Sequence, residues 1–335
     1  MNLDKNTLLK RLADESRKQR TALMKSYVSQ AKRSVALGTF LYGHPDLISW
    51  VPEGCRAYVA IGEADLQVTK SDSLADPGKY TWTRNELMKQ ASEHCLLRVI
   101  PGHHMKYVLV DPFTDAAAGL LLTCNLTPSG VDVGQVHLAR VSSHEMSVEL
   151  SPSECADLAE LSKFALFGAP KVREFTKAGL DPVTPLNMEL AKPGELLING
   201  YGLTSLSEEL ISLIESSKSS VSLCTYALDV ESPAFQSLAR LVSKGIKVEV
   251  MLNKSAANQR AYADLISMGV KAQMIERMHA KAVLVDDCMG IISTANFCKQ
   301  GIAEGVNIGA RCDQTKPDRL TALRTFFADR LTRLW

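Results

Sequence analysis

At 335 residues, with 46% hydrophobic and 22% charged residues, the chain is long enough for two domains of ~150 residues with real cores. A net charge of +1 excludes a uniformly basic DNA-coating protein but leaves local basic patches open. No apolar run approaches the ~18–20 residues of a membrane span, the first twenty residues lack the h-region of a secretory signal, and eight cysteines without a C-x-x-C pair predict free thiols in a cytoplasmic protein, with no disulfide framework and no zinc site.

In chain order, residues 1–33 carry nine Lys/Arg against three Asp/Glu. That is +6, leaving −5 for the rest. Leu23, Met24, Tyr27, Val28 and Ala31 recur at helical spacing within this segment. Strands are predicted at Ser34–Phe40, Arg56–Ile61 and Leu96–Ile100. Thr176 to Glu195 is rich in Pro and Gly, has little periodicity and reads as a linker. Beyond it the order repeats. A helical pattern through Leu206, Leu210, Leu213 and Ile214 precedes strands at Ser220–Tyr226, Lys247–Leu252 and Lys271–Ile275. Helices are predicted at 232–243 and 258–268, the second closed by Gly269. Strands alternating with helices imply an α/β layer architecture. The repeat predicts a domain duplication: 1–178, a linker at 179–195, and 196–335.

Each half then carries H-x-K-x-x-x-x-D after its third strand: His104, Lys106 and Asp111, and again His279, Lys281 and Asp286. One short motif is weak; two at equivalent points of a duplication are strong. If the motif is strand, positions i and i+2 share a face, so His and Lys project together while the Asp has the wrong parity and supports. An asparagine trails each motif, Asn125 and Asn296. An imidazole, an ammonium and an amide, all duplicated, are what a symmetric anion site requires.

These residues resemble the phospholipase D superfamily, whose mark is two H-x-K-x4-D-x6-G-[ST]-x-N motifs. The second half keeps the spacing from His279 to Asn296, with Ser293 in the glycine position; the first has about four extra residues between Asp111 and Asn125. The resemblance implies two tandem phospholipase D-like α/β/α domains with pseudo-two-fold symmetry and central mixed sheets. It also implies a phosphodiesterase working through a phosphohistidine, with His104 the nucleophile and His279 the acid. Lys106, Lys281, Asn125 and Asn296 would bind the non-bridging oxygens, with Thr123, Thr294 and Glu304 in support. No metal or cofactor is expected.

Among substrates, nucleic acid (DNA above RNA) is favoured, bound in part by Arg11, Arg17, Lys18 and Arg20 of the basic helix. The alternatives are a phospholipase or phosphatidyltransferase at an anionic membrane surface, and a catalytically silent subunit partnered with an ATPase or helicase. His103 is read as a neighbour pointing away from the motif. His44, His94, His137 and His144 are read as ordinary surface or satisfied histidines, and Cys124 and Cys298 as small core thiols.

Overall fold

A computed structural model describes residues 5–44, 46–63, 84–92, 94–132 and 142–334. His137 lies outside the described residues. In the first half the elements run α1 (Lys5–Val28), β1 (Ser34–Thr39), β2 (Arg56–Gly62), α2 (Arg84–Gln90), β3 (Cys95–Ile100), β4 (Tyr107–Val110), β5 (Ala118–Leu122), β6 (Ser147–Glu149), α3 (Pro152–Lys163), β7 (Arg173–Phe175) and β8 (Leu180–Pro182). The second half adds β9 (Leu197–Gly200), β10 (Leu203–Thr204), α4 (Ser205–Glu215), β11 (Ser220–Thr225), α5 (Pro233–Ser243), β12 (Lys247–Asn253), α6 (Gln259–Ser267), β13 (Lys271–Ile275), β14 (Ala282–Val285), β15 (Met289–Ser293), α7 (Lys299–Ala303), β16 (Asn307–Cys312) and α8 (Pro317–Leu334).

Each half builds one eight-stranded mixed sheet. The orders are β6-β5-β4-β1-β2-β3-β7-β8 and β10-β9-β16-β15-β14-β11-β12-β13. Both share a block in which a central strand pairs in parallel with the next strand and antiparallel with the motif strand: β1 with β2 and β4, β11 with β12 and β14. The registers coincide: Val35 pairs with Val110 as Val221 pairs with Val285. The duplication read from the sequence is therefore a duplication of pairing, residue by residue.

The cores follow from the apolar strands. Val35, Leu37, Val59, Leu97 and Val108 form one cluster with Met24 and Val28 of α1. Val221, Leu223, Val250 and Val283 form the other with Leu206, Leu210 and Ile214 of α4. Burying a Leu, Ile or Val side chain fully stabilises by roughly 1.5–3 kcal/mol, so these clusters are the main favourable contribution holding each sheet to its helices.

The unit boundaries differ from the predicted ones. One compact unit comprises Glu15–Ser142 and Ser147–Leu196; the other comprises Leu197–Trp335 with Met1–Asp14 and Ser143–Met146. The predicted linker is tied down by specific bonds. β8 pairs with β7, and the Asp157 carboxylate accepts the backbone N–H groups of Gly194, Glu195 and Leu196. Pro and Gly there mark an edge strand and a turn. All eight cysteines are free thiols. Among the described residues, no helix is long and apolar enough to cross a membrane, and no three His, Cys, Asp or Glu side chains cluster as metal ligands.

Candidate active site: a duplicated His, Lys and Asn set

The motif residues sit one step earlier than their pattern predicts. His104 and Lys106 precede β4, and His279 and Lys281 precede β14, in extended segments outside the strands. Alternation survives there because the carbonyl of the Lys is still paired: Lys106 O accepts from Leu122 N–H at 2.9 Å, and Lys281 O from Ser293 N–H at 2.9 Å. Both histidines are half-buried, and both lysines are fully buried. A buried ammonium must be partnered. Each turns back onto its own histidine: Lys106 Nζ donates to His104 O at 2.8 Å, and Lys281 Nζ to His279 O at 2.5 Å.

An aromatic ring completes each set. Phe40 packs on His104 with centroids 5.0 Å apart, and Tyr226 on His279 at 5.2 Å. The ammonium groups lie 5.8 Å from the Phe40 ring and 5.9 Å from the Tyr226 ring. Both rings follow the last threonine of a central strand, and that threonine is itself a duplicated clasp. Thr39 Oγ1 donates to Leu41 O and accepts from Leu126 N–H; Thr225 Oγ1 donates to Ala227 O and accepts from Phe297 N–H. The residues following Asn125 and Asn296 are thereby fixed beside the aromatic. The Phe40/Tyr226 match is visible in the aligned strands, but a ring has no place in the His/Lys/Asn motif, so its role was missed.

The asparagines are anchored differently. Asn125 Oδ1 accepts a 3.4 Å bond from Leu41 N–H, whereas Asn296 Oδ1 is buried without a hydrogen-bond partner. A buried carbonyl oxygen with no donor is costly and marks a group held for something else. Gly130 and Gly301 lie five residues after each Asn; a Cβ on either would come within 2.3 Å of the Asn carbonyl oxygen.

The aspartates are remote from the imidazoles and hold chain. Asp111 accepts the N–H groups of Lys32, Arg33 and Ser34, and Asp286 those of Lys218, Ser219 and Ser220 together with the hydroxyls of Ser217 and Ser219. Burial pushes both carboxyls up, but these donors outweigh it and leave both below the usual carboxylate range. Thr294 Oγ1 bonds Asn307 Oδ1 and Ile308 N–H, tying β16 to the loop before Asn296. Thr123 is fully buried at the matching place, and Glu304 is exposed at the end of α7.

The sequence reading missed one site residue altogether. Glu145 is buried, and its Oε1 lies 2.7 Å from His279 Nδ1 while accepting from Ser143 Oγ at 2.8 Å. The Lys281 ammonium is 3.1 Å from the same ring nitrogen, which cannot both accept from Lys281 and donate to Glu145. The shorter contact and the carbonyl already taken by Lys281 assign the Nδ1 proton to Glu145.

His144 is a part of this site and so departs from the ordinary-histidine reading. Its backbone C=O accepts from His279 N–H and Ala280 N–H, its N–H donates to Arg277 O, and its Nδ1 faces the buried Arg330 of α8 at 3.4 Å. Burial, then the Arg330 charge, lowers its pKa to about 3, so it is neutral. By register Leu122 and Ser147 pair as Ser293 and Gly309 do, which makes Asn307 the counterpart of Glu145. No search for a glutamate at equal spacing in both halves finds it.

The other histidines are accounted for. His103 is fully buried; His44 is buried between Trp50 and the Asp132 carbonyl; His94 is exposed. Cys124 is buried, and Cys298 caps α7 by accepting from Gly301 N–H. Two of the four basic residues assigned to nucleic acid are not available for it. Arg17 and Arg20 are buried, donating to Pro128 O and Gly130 O, because the helix packs against the loop after Asn125 and that loop offers carbonyls in need of donors. Arg11 and Lys18 are exposed.

Comparison with known proteins agrees with this geometry. The family model described as "Cardiolipin synthase, PLD-like domain" matches residues 210–330. Among solved structures, phosphatidylserine synthase from Haemophilus influenzae aligns over 95% of this chain and 84% of its own, with 12% identity and a TM-score of 0.66. Polyphosphate kinase from Porphyromonas gingivalis aligns over 94% of this chain and 48% of its own, with 12% identity and a TM-score of 0.52. Nuc from Salmonella typhimurium, a phospholipase D family member, aligns over 41% of this chain and 94% of its own, with 16% identity and a TM-score of 0.36. A search of curated proteins by sequence found no match. Residues 210–330 thus match a PLD-like domain, and the chain as a whole shares its fold with phosphatidylserine synthase, with one H-x-K-x4-D motif on each of its two duplicated mixed sheets.

Proposed function

We propose that the chain cleaves phosphodiester bonds through a covalent phosphohistidine, and that its substrate is nucleic acid. The duplicated set of a half-buried His, a buried Lys and an Asn carries the phosphodiester chemistry, and the exposed Lys18, Lys25, Lys32 and Arg33 on and after α1 support nucleic acid as the substrate. Displacement at phosphorus needs a nucleophile and an acid for the leaving oxygen, and the chain supplies two imidazoles. His104 Nε2 would attack phosphorus, forming P–N as P–O breaks, while His279 gives its Nε2 proton to the departing alkoxide. Water, deprotonated by His279, would then cleave P–N and release the phosphate ester. Glu145 on Nδ1 of His279 offsets the charge of the imidazolium that donates the proton. Lys106, Lys281, Asn125 and Asn296 would bind the non-bridging oxygens, which gain charge in the transition state.

A second reading, phospholipid hydrolysis or phosphatidyl transfer, is favoured by the likeness to phosphatidylserine synthase and by the family description of residues 210–330.

One assay separates them. Purified protein in EDTA is incubated with labelled single-stranded DNA, duplex DNA, RNA and phospholipid vesicles. The nuclease reading expects oligonucleotide cleavage that survives EDTA and a phosphoryl adduct on a histidine by mass spectrometry of quenched reactions. His104→Ala and His279→Ala should each lower turnover about a thousandfold or more, because nucleophile and acid act as a unit. Head-group release with intact oligonucleotides would establish the second reading instead. Full activity in either variant would overturn the mechanism.

A further inference from the structure

The burial of Arg17 and Arg20 redraws the charged surface of α1. Lys18 and Lys25 remain exposed on the helix, and Lys32 and Arg33 are exposed in the turn after it. No Asp or Glu occurs between Glu15 and Asp46, so these four cations are uncompensated along the chain. Arg11 is not part of this group, since exposed Asp14 and Glu15 separate it from Lys18. In space, Asp111 lies against the backbone of Lys32 and Arg33 and interacts with the Arg33 charge, and Glu149 accepts a hydrogen bond from Tyr27 Oη.

The two helical cations are aligned. Lys18 and Lys25 are one heptad apart, which puts them on one stripe about 10.5 Å apart along the axis. That is about three steps of a nucleic-acid strand, whose charges recur every ~3.4 Å. Lys32 and Arg33 follow in the turn after the helix, where Asp111 holds both backbone N–H groups at 2.9 and 2.8 Å.

We propose that Lys18, Lys25, Lys32 and Arg33 form a track for the phosphate backbone of a polynucleotide. The inference rests on the nucleic-acid reading above and names where that substrate is held. An anionic membrane fits the surface less well. A membrane-adsorbing helix needs an apolar face to bury among the acyl chains. Here Met24 and Val28 are fully buried and Leu23 and Tyr27 pack on the same core, so the apolar face is already used. The exposed positions between the cations are Gln19, Ala22, Ser26, Ser29 and Gln30, with no large apolar side chain among them. A polyanion matches a run of cations that offers charge and, beside Lys25, the half-buried Trp50 ring 6.0 Å from its ammonium.

The test compares wild type with a fourfold variant, Lys18→Gln, Lys25→Gln, Lys32→Gln and Arg33→Gln. Glutamine keeps the helix propensity. Binding of fluorescein-labelled 20-nucleotide single strands and duplexes is titrated by anisotropy between 50 and 200 mM NaCl. Four lost phosphate contacts should flatten the slope of log K against log salt by about 3, with at least tenfold weaker binding at 50 mM and equal loss across sequences. Turnover of bis(p-nitrophenyl) phosphate, too small to reach the stripe, should stay at the wild-type value. An unchanged salt slope overturns the track. So does stripe-dependent binding to phosphatidylglycerol vesicles without oligonucleotide binding. Loss of bis(p-nitrophenyl) phosphate turnover in the wild type would strike the catalytic reading alone.

Discussion

In the mechanism proposed above, the C-terminal set depends on Glu145. A buried carboxylate 2.7 Å from His279 Nδ1 fixes the ring's tautomer and would leave Nε2 for the proposed proton transfer. Glu145→Gln keeps the size of the side chain and removes the charge. It should lower kcat by roughly 10² to 10⁴ and change KM little, since a misassigned ring proton is a transition-state defect. Steady-state kinetics on a chromogenic phosphodiester checks this, and a kcat within threefold of wild type would reject it. Arg330 acts one step further away. It stacks on Phe326 at 3.6 Å and faces His144, whose backbone carbonyl holds the N–H groups of His279 and Ala280. Arg330 is thus a positioning residue: the segment bearing Glu145 is hung on the C-terminal helix.

At the scale of elements, the aspartates of the two motifs join a chain turn to the mouth of a central strand. Asp111 and Asp286 have left-handed backbones, φ 46° and 50°, that let each carboxylate face the residues entering β1 or β11. Asp286→Ala strips acceptors from three backbone N–H groups and should destabilise by about 2–4 kcal/mol. Asp286→Asn, which keeps one acceptor oxygen, should recover part of that loss. Urea unfolding at pH 7 measures both, and equal midpoints for Asp286→Ala and wild type would refute the anchoring role. The sign with pH is fixed by the lowered carboxyls. Their contribution is present above the unfolded value near 3.8 and is lost as pH falls through the folded value.

Much of this element structure could be read from sequence. Apolar β-branched runs gave the central strands, and parity separated the Asp from the His and Lys. What could not be read is where partners come from. Glu145 lies twenty residues after Asn125 with no periodic pattern around it, and its counterpart Asn307 is neutral, so repetition was silent. Charge misled as well, because sequence counts an arginine as basic surface whether it meets solvent or, like Arg20, a carbonyl.

For the molecule as a whole, the duplication has diverged behind the motifs. Paired registers align His103 with Met278, Tyr107 with Ala282 and Gly38 with Cys224. Gly38 is obligatory opposite Tyr107, since a Cβ there would come within 2.1 Å of the ring. His103 is wholly buried, and neither ring nitrogen has a hydrogen-bond partner. Burial, and then the charge of Lys106, lowers its pKa to about 3. His144, also buried, is lowered to about 3 by burial and Arg330. Below an unfolded value near 6.5 the unfolded chain takes up protons that the native protein refuses, so stability falls with pH from about 6.5 towards 3. Each buried histidine costs about 1.4 kcal/mol per pH unit in that window. The lowered carboxyls act only below about pH 4, which leaves pH 4.5–6 to the histidines. His103→Met, installing the residue of the second half, should remove about half of the loss due to this pair. Urea unfolding followed by circular dichroism at pH 7, 6 and 5 gives the slope, and a variant with the wild-type slope would show that His103 titrates in the native state.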